Sequence, residues 1–106
     1  MQPIIVTTSC ASQETAQKIA THLLNQRLVA CAQVSGPVTS SYWWNGSITS
    51  EPEYLVVMKS VRSLFSRITD QLSLIHPYDV PEIVATDMVQ INDGYRDWLL
   101  AELHRE

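Results

Sequence analysis

Long hydrophobic runs are missing from this chain. Its apolar stretches last only a few residues, and a membrane-spanning helix needs about 18. Clustered positive charge is missing too. Seven Lys and Arg stand against eleven Asp and Glu, a net charge of −4, with no basic patch to neutralise a phosphate backbone, so no nucleic-acid partner is expected. Only two cysteines occur, Cys10 and Cys31, with no CxxC between them. That spacing offers no zinc pattern and favours free thiols over a disulfide. The opening Met1-Gln2-Pro3-Ile4-Ile5-Val6 has neither a basic start nor a long apolar stretch. No secretory signal is therefore expected, and the cytoplasm is the default location. No GxGxxG, Walker, HExxH or GxSxG motif is present, so the common nucleotide-binding and hydrolase chemistries have no support and no enzyme is expected.

What is present is ordinary for a globular chain. At 106 residues with a hydrophobic share of 45%, the length suits one domain spanning 1–106 and is too short for two cores. Apolar residues are spread along the whole length, which excludes disorder. Residues 4–8, Ile-Ile-Val-Thr-Thr, are β-branched and read as a buried strand. Ser12 is a candidate N-cap, followed by Glu14 in the first turn. Ala16, Ile19, Ala20, Leu23 and Leu24 then recur at the spacing of one helix face. A second strand is expected over 28–34, interrupted at Gly36-Pro37 and resumed over 38–44. Asn45-Gly46 is the strongest hairpin signal in the chain, and the return strand is placed at 53–59.

A second helix carries Leu64, Phe65, Ile68, Leu72 and Ile75 on one face and must stop at His76, because Pro77 disfavours helix in the residue before it. A fourth strand over 83–89 and a short terminal helix bearing Tyr95, Trp98, Leu99 and Leu103 complete the pattern. The order βαββαβ predicts an α+β, ferredoxin-like sandwich: one antiparallel sheet, two helices on one face, an extended β2–β3 hairpin and a short C-terminal helix.

Specific residues add to this pattern. Ala30-Cys31, the run Thr39-Ser40-Ser41-Tyr42-Trp43-Trp44-Asn45-Gly46, the run His76-Pro77-Tyr78-Asp79-Val80-Pro81-Glu82 and Gly94-Tyr95-Arg96-Asp97-Trp98-Leu99 together resemble the CutA family of divalent-cation tolerance proteins. The similarity is co-linear from Ile4 to the C-terminus. It implies a ferredoxin-like homotrimer, similar in architecture to the trimeric nitrogen-regulatory signalling proteins and linked to tolerance of copper and other divalent cations. It also implies copper ligation by a cysteine ending the first strand and by two adjacent histidines before Pro-Tyr. Here those positions are Thr8, Ile75 and His76, so only His76 is a ligand type. Cys10 lies two residues beyond the expected thiol, about 6.6 Å further along the same strand face.

Each candidate has a plainer reading beside the functional one. His76, Asp79 and Glu82 recur every third residue like a chelating trio. Pro77 and Pro81 forbid a helix, and in an extended path neighbours in the trio lie about 9 Å apart, too far for metal bonds of about 2.0–2.6 Å from one chain. The plainer reading is a rigid linker presenting polar groups to another subunit. The functional reading instead makes this segment, with Tyr78, Asp79 and Glu82, the edge of a cleft between subunits. Cys31 is expected as a buried small hydrophobe, and His22 to face solvent. Tyr42, Trp43 and Trp44 cannot all point into one core, since strand residues alternate faces; they are expected at a subunit contact. Two functions stay open: a binding trimer that takes up copper, another divalent cation or a small ligand between subunits, in the manner of a sensing trimer, or an enzyme using carboxylates or His76 in the same cleft.

Overall fold

The computed structural model describes residues 1–104. Strand β1 runs Pro3–Cys10, helix α1 Gln13–Asn25, β2 Cys31–Trp44 and β3 Ser47–Val61. A 3-10 turn at Arg62–Leu64 leads into α2, Phe65–Ile75, followed by β4, Val84–Asp87, and α3, Asp93–Glu102. The sheet order is β2-β3-β1-β4, antiparallel throughout. This is the ferredoxin-like α+β arrangement expected above.

Alternation explains which face is covered. Ile4, Val6, Thr8 and Cys10 of β1 are buried, whereas Ile5 and Thr7 between them are only half-buried. Val56 and Met58 of β3 lie opposite Thr8 and Val6 and are buried with them. Ala16, Ile19, Ala20 and Leu23 of α1 and Ile68 and Leu72 of α2 close over this face in one core cluster. Each large apolar side chain removed from water there contributes about 1.5–3 kcal/mol. Ser12 caps α1 as expected, its hydroxyl accepting the Thr15 amide at 3.1 Å.

Four boundaries differ from the sequence expectation. The second strand begins at Cys31, not at residue 28. α1 ends with Arg27 in the left-handed region at φ 55°, which turns Leu28 and Val29 into the core as irregular chain. Ladder bonding to β3 starts only with the Ala30 amide on the Lys59 carbonyl.

Gly36-Pro37 does not interrupt β2. Between the pairs Ser35–Leu55 and Val38–Glu53, Gly36 and Pro37 face the single residue Tyr54, a bulge absorbed within the strand. Gly36 is needed there: its φ is 143°, and a β-carbon would come within 2.8 Å of the Tyr54 ring.

The return strand starts at Ser47 rather than 53. Asn45 and Gly46 both take positive φ, 50° and 81°, the turn that closes a two-residue hairpin, so pairing begins at once with Trp44–Ser47. Pro52 is accommodated because β1 pairs with β3 only as far as Tyr54. Beyond that point β3 has a neighbour on one side only, where a missing donor is tolerated.

The fourth strand is shorter than 83–89. β1 offers it only Ile4 to Thr7 as partners, and after the Met88 amide bonds the Pro3 carbonyl the ladder has no further strand to follow. The terminal helix forms as expected, with Leu99 and Leu103 buried and the Arg27 guanidinium bonded to the Glu102 carboxylate and carbonyl.

The consequence for shape is an elongated molecule, 44 × 27 × 21 Å. A two-layer body is built around β1. The β2–β3 hairpin runs on past the end of β1, as a two-stranded ribbon.

Candidate functional site

The polar groups singled out in the sequence gather where β1 ends and the hairpin leaves the body. Pro77 stops α2, and His76 closes it with its amide on the Leu72 carbonyl and an extended backbone of φ −75°, ψ 134°. That conformation turns the His76 ring inward, leaving the residue 8% exposed. Ring Nε2 lies 2.8 Å from the Ser9 carbonyl oxygen, and Nδ1 lies 3.1 Å from the Tyr78 amide nitrogen. A carbonyl can only accept and an amide can only donate, so Nε2 carries the proton and Nδ1 the lone pair. Both nitrogens are committed to the main chain. To ligate a cation, His76 would first have to release the Tyr78 amide or the Ser9 carbonyl.

Tyr78 makes the second tie. Its hydroxyl donates to Glu53 Oε2 at 2.9 Å, and its ring lies 4.9 Å from that of His76, tilted by 56°. Burial, then the hydrogen bond and charge of Glu53, then Cys10 and Tyr42, push the phenol up to about 12. The neutral phenol is what the site prefers, because a donor facing a carboxylate loses its bond on ionisation. Tyr42 on the hairpin is pushed upward as well, by burial and by the Glu51 and Glu53 carboxylates.

Cys10 is the last residue of β1 and fully buried. Its thiol points to the Ser12 carbonyl at 3.4 Å. Burial pushes the thiol up, the Ser12 bond acts in the opposite sense, and Glu53 adds to the rise. The raised value keeps it a thiol rather than a nucleophilic thiolate.

His76, Tyr78 and Cys10 are thus brought together, while Asp79 and Glu82 of the same segment are both exposed. Val80 between them is 87% exposed. The three-residue periodicity of His76, Asp79 and Glu82 does not converge: one member is inside and two are outside. Among the described residues, no group of three or more His, Cys, Asp or Glu is arranged to hold a metal ion. Thr8, at the position of the family thiol, is fully buried with its hydroxyl unpartnered, and Ile75 is apolar and partly exposed. Within one chain, these residues do not fit a divalent cation.

Glu53 and Glu51 were missed by sequence reasoning. Their signal was the Glu51-Pro52-Glu53 alternation, which places both carboxylates on one side of a strand, but the return strand was expected to start only at residue 53. Two smaller expectations need correction. His22 is half-buried between the helices, its Nε2 donating to Gln71 Oε1 at 2.9 Å. Cys31 opens β2 instead of lying inside it and is half-buried; burial and then the neighbouring Cys31 push the Tyr95 phenol upward.

The aromatics occupy both faces of the ribbon. Trp43 pairs with Ile48, and Tyr42 with Thr49, at alternate positions. Trp43, Trp44 and Ile48 are 73%, 62% and 66% exposed. No helix among the described residues is long and apolar enough to cross a membrane.

Comparison with known proteins places the chain. The family profile described as CutA1 divalent ion tolerance protein matches residues 4–102. The divalent-cation tolerance protein CutA of Pyrococcus horikoshii is 35% identical over 99 residues, 93% of this chain and 96% of the relative. The solved divalent cation tolerance protein of Thermus thermophilus superposes with a TM-score of 0.93 at 33% identity, covering 96% of this chain and 99% of its own. A solved periplasmic divalent cation tolerance protein CutA from Archaeoglobus fulgidus gives 0.92 at 26% identity, with 96% and 99% covered. With the profile spanning nearly the whole chain and the same fold in solved relatives, this protein belongs to the CutA1 divalent ion tolerance family.

Proposed function

We propose that this protein is a cytoplasmic homotrimer that contributes to tolerance of copper and other divalent cations by binding a cation, without catalysis, in clefts between subunits. The observation that carries this reading is the projecting ribbon: its Trp43, Trp44 and Ile48 are largely exposed on both faces, an apolar area that a lone chain leaves in water. Closed threefold symmetry would cover it and the free edge of β2 with a finite number of copies. The outward Asp79 and Glu82 carboxylates, unable to chelate within one chain, would then meet groups lent by a neighbour. His76 serves this cleft by holding the segment in place, and Cys10 stays behind it. The commitment of both His76 nitrogens to the main chain also supports binding over catalysis, since a general base needs a free lone pair within reach of its substrate.

Native mass spectrometry with and without copper(II), zinc(II) and manganese(II) tests the assembly and the cation together. The expected result is a trimer in all conditions, with copper or zinc bound in multiples of three and lost from the Asp79→Asn, Glu82→Gln double variant. A monomer at micromolar concentration overturns the trimer. Metal uptake unchanged in that double variant, yet abolished in His76→Ala, moves the contact from the carboxylates to the imidazole.

A further inference from the structure

Residues 76–82 are fastened to the body by two side chains that reach two different strands. His76 Nε2 donates to the Ser9 carbonyl near the end of β1, and Tyr78 Oη donates to Glu53 of β3. The two fastenings are themselves joined, because the Tyr78 amide donates to His76 Nδ1 and the two rings are in contact. Beyond Tyr78 the segment turns outward, with Val80 almost wholly in solvent. The Cys10 thiol lies at the same strand end, one residue beyond Ser9. It is near enough to Tyr78 for its charge to act on the phenol, and it is completely shielded from solvent. Cys10 pairs with Tyr54 of β3 and joins the core cluster on the helix-covered face, at the strand end where His76 is held to Ser9 and Tyr78 to Glu53.

We infer that the 76–82 segment is a two-point clasp over the Cys10 thiol, closed by the Tyr78–Glu53 hydrogen bond and opening by local release of that bond without unfolding of the body. His76 is the hinge side of the clasp, since its ring is held by main-chain groups on both nitrogens. Tyr78 is the free side, since its hold is a single hydroxyl on a single carboxylate. A group that takes Glu53 away from Tyr78, such as a cation bound to that carboxylate, opens the clasp and admits a thiophilic reagent to Cys10. The inference requires neither the trimer nor the cation proposed above.

The test is thiol labelling of the intact protein in a Cys31→Ser background, which leaves Cys10 as its one thiol. An aromatic disulfide is the probe: the Cys10 thiolate attacks its S–S bond, a mixed disulfide forms, and a coloured aromatic thiolate leaves. Under native conditions Tyr78→Phe is expected to raise the labelling rate about tenfold, the effect of losing one hydrogen bond to a charged acceptor on a local opening equilibrium. Glu53→Gln, which keeps an oxygen acceptor without the charge, is expected to raise it less. Leu99→Val loosens the core under α3 without touching either fastening of the clasp, and is expected to leave the rate alone. An unchanged rate in Tyr78→Phe overturns the clasp, and so does a rate that follows the urea midpoints of all three variants, Leu99→Val included. If Tyr78→Phe does not fold, an unchanged rate in Glu53→Gln overturns it instead.

Discussion

The body and the ribbon use the same β-strands under opposite conditions. In the body, β1 has neighbours on both edges and helices over one face, so each alternate residue disappears from solvent. In the ribbon, the backbone of β2 and β3 is paired as regularly, from Val38–Glu53 to Trp44–Ser47, yet its side chains stay in water on both faces. Hydrogen-bonded pairing therefore does not by itself make a stable structure here. A two-stranded hairpin in water is marginal, and a sheet gains its stability from what covers it. The body supplies its own cover, and the ribbon is built to receive one. The clasp lies at the junction of the two.

The contrast can be broken first in the body. Leu72→Ala removes a fully buried α2 side chain and is expected to cost about 2–5 kcal/mol, read as a lower urea midpoint with an unchanged slope. A loss below about 1 kcal/mol would mean that α2 is not part of the core.

The junction comes next. Gly36→Ala places a methyl against the Tyr54 ring and the Glu53 carbonyl, at 2.8 and 2.9 Å, on a backbone with φ 143°. It is expected to cost about 1–3 kcal/mol. Thermal melting checks this, and an unaltered melting temperature would show that the bulge is not held in this form.

A pH titration sharpens the account of the same junction. Tyr78 has its phenol raised to about 12 in the folded chain, above the free value of about 10. The folded state therefore holds the proton more tightly. The stability this contributes is complete below pH about 10 and is lost as the pH rises from there through about 12. Tyr78→Phe has no such proton to lose, so the difference between wild type and variant should narrow across that window in urea unfolding. A difference independent of pH would remove the Tyr78–Glu53 bond from the energetics.

The smallest effect on the chain itself is expected at the tip. Trp44→Ala deletes an exposed ring and should change the unfolding free energy of a dilute, unassembled chain by no more than about 0.5 kcal/mol. In sedimentation at micromolar concentration the same variant should shift assembly toward smaller species, and Leu103→Ala, in the core, should do so less. Equal shifts would show that the ribbon is not the contact.

Much of this was legible before the structure. The α1 stripe from Ala16 to Leu23 (Leu24, expected on it, is exposed), the Ser12 cap, the Asn45-Gly46 turn and the stop at Pro77 each act within a few residues, where covalent geometry and side-chain periodicity decide the outcome. The errors came where a partner strand decides. Gly36-Pro37 reads as a break in isolation but is a bulge once Tyr54 lies opposite it. The return strand was expected from 53, but β2 pairs with it from Ser47, and Pro52 is harmless where β3 has a neighbour on one side only. Residues 28–29 and 89 look like strand, yet they lie beyond the ends of the ladders, which stop at the Ala30–Lys59 and Met88–Pro3 bonds.

The site divides in the same way. His76, Tyr78 and Cys10 could be picked out by type and by the prolines around them. That Glu53 would be the partner of Tyr78 could not, because the two are 25 residues apart and meet only through the register of the hairpin. Nor could the role of the imidazole be read from its neighbours in the chain. A histidine before proline could have offered either nitrogen to a cation, and it is the Ser9 carbonyl, 67 residues away, that takes one of them. Local order and the choice of fold were set by the sequence through short-range geometry and hydrophobic spacing. Which polar groups are tied together and which are left facing outward was decided by tertiary structure, since a hydrogen bond acts over about 3 Å and only the folded chain brings such distant residues that close.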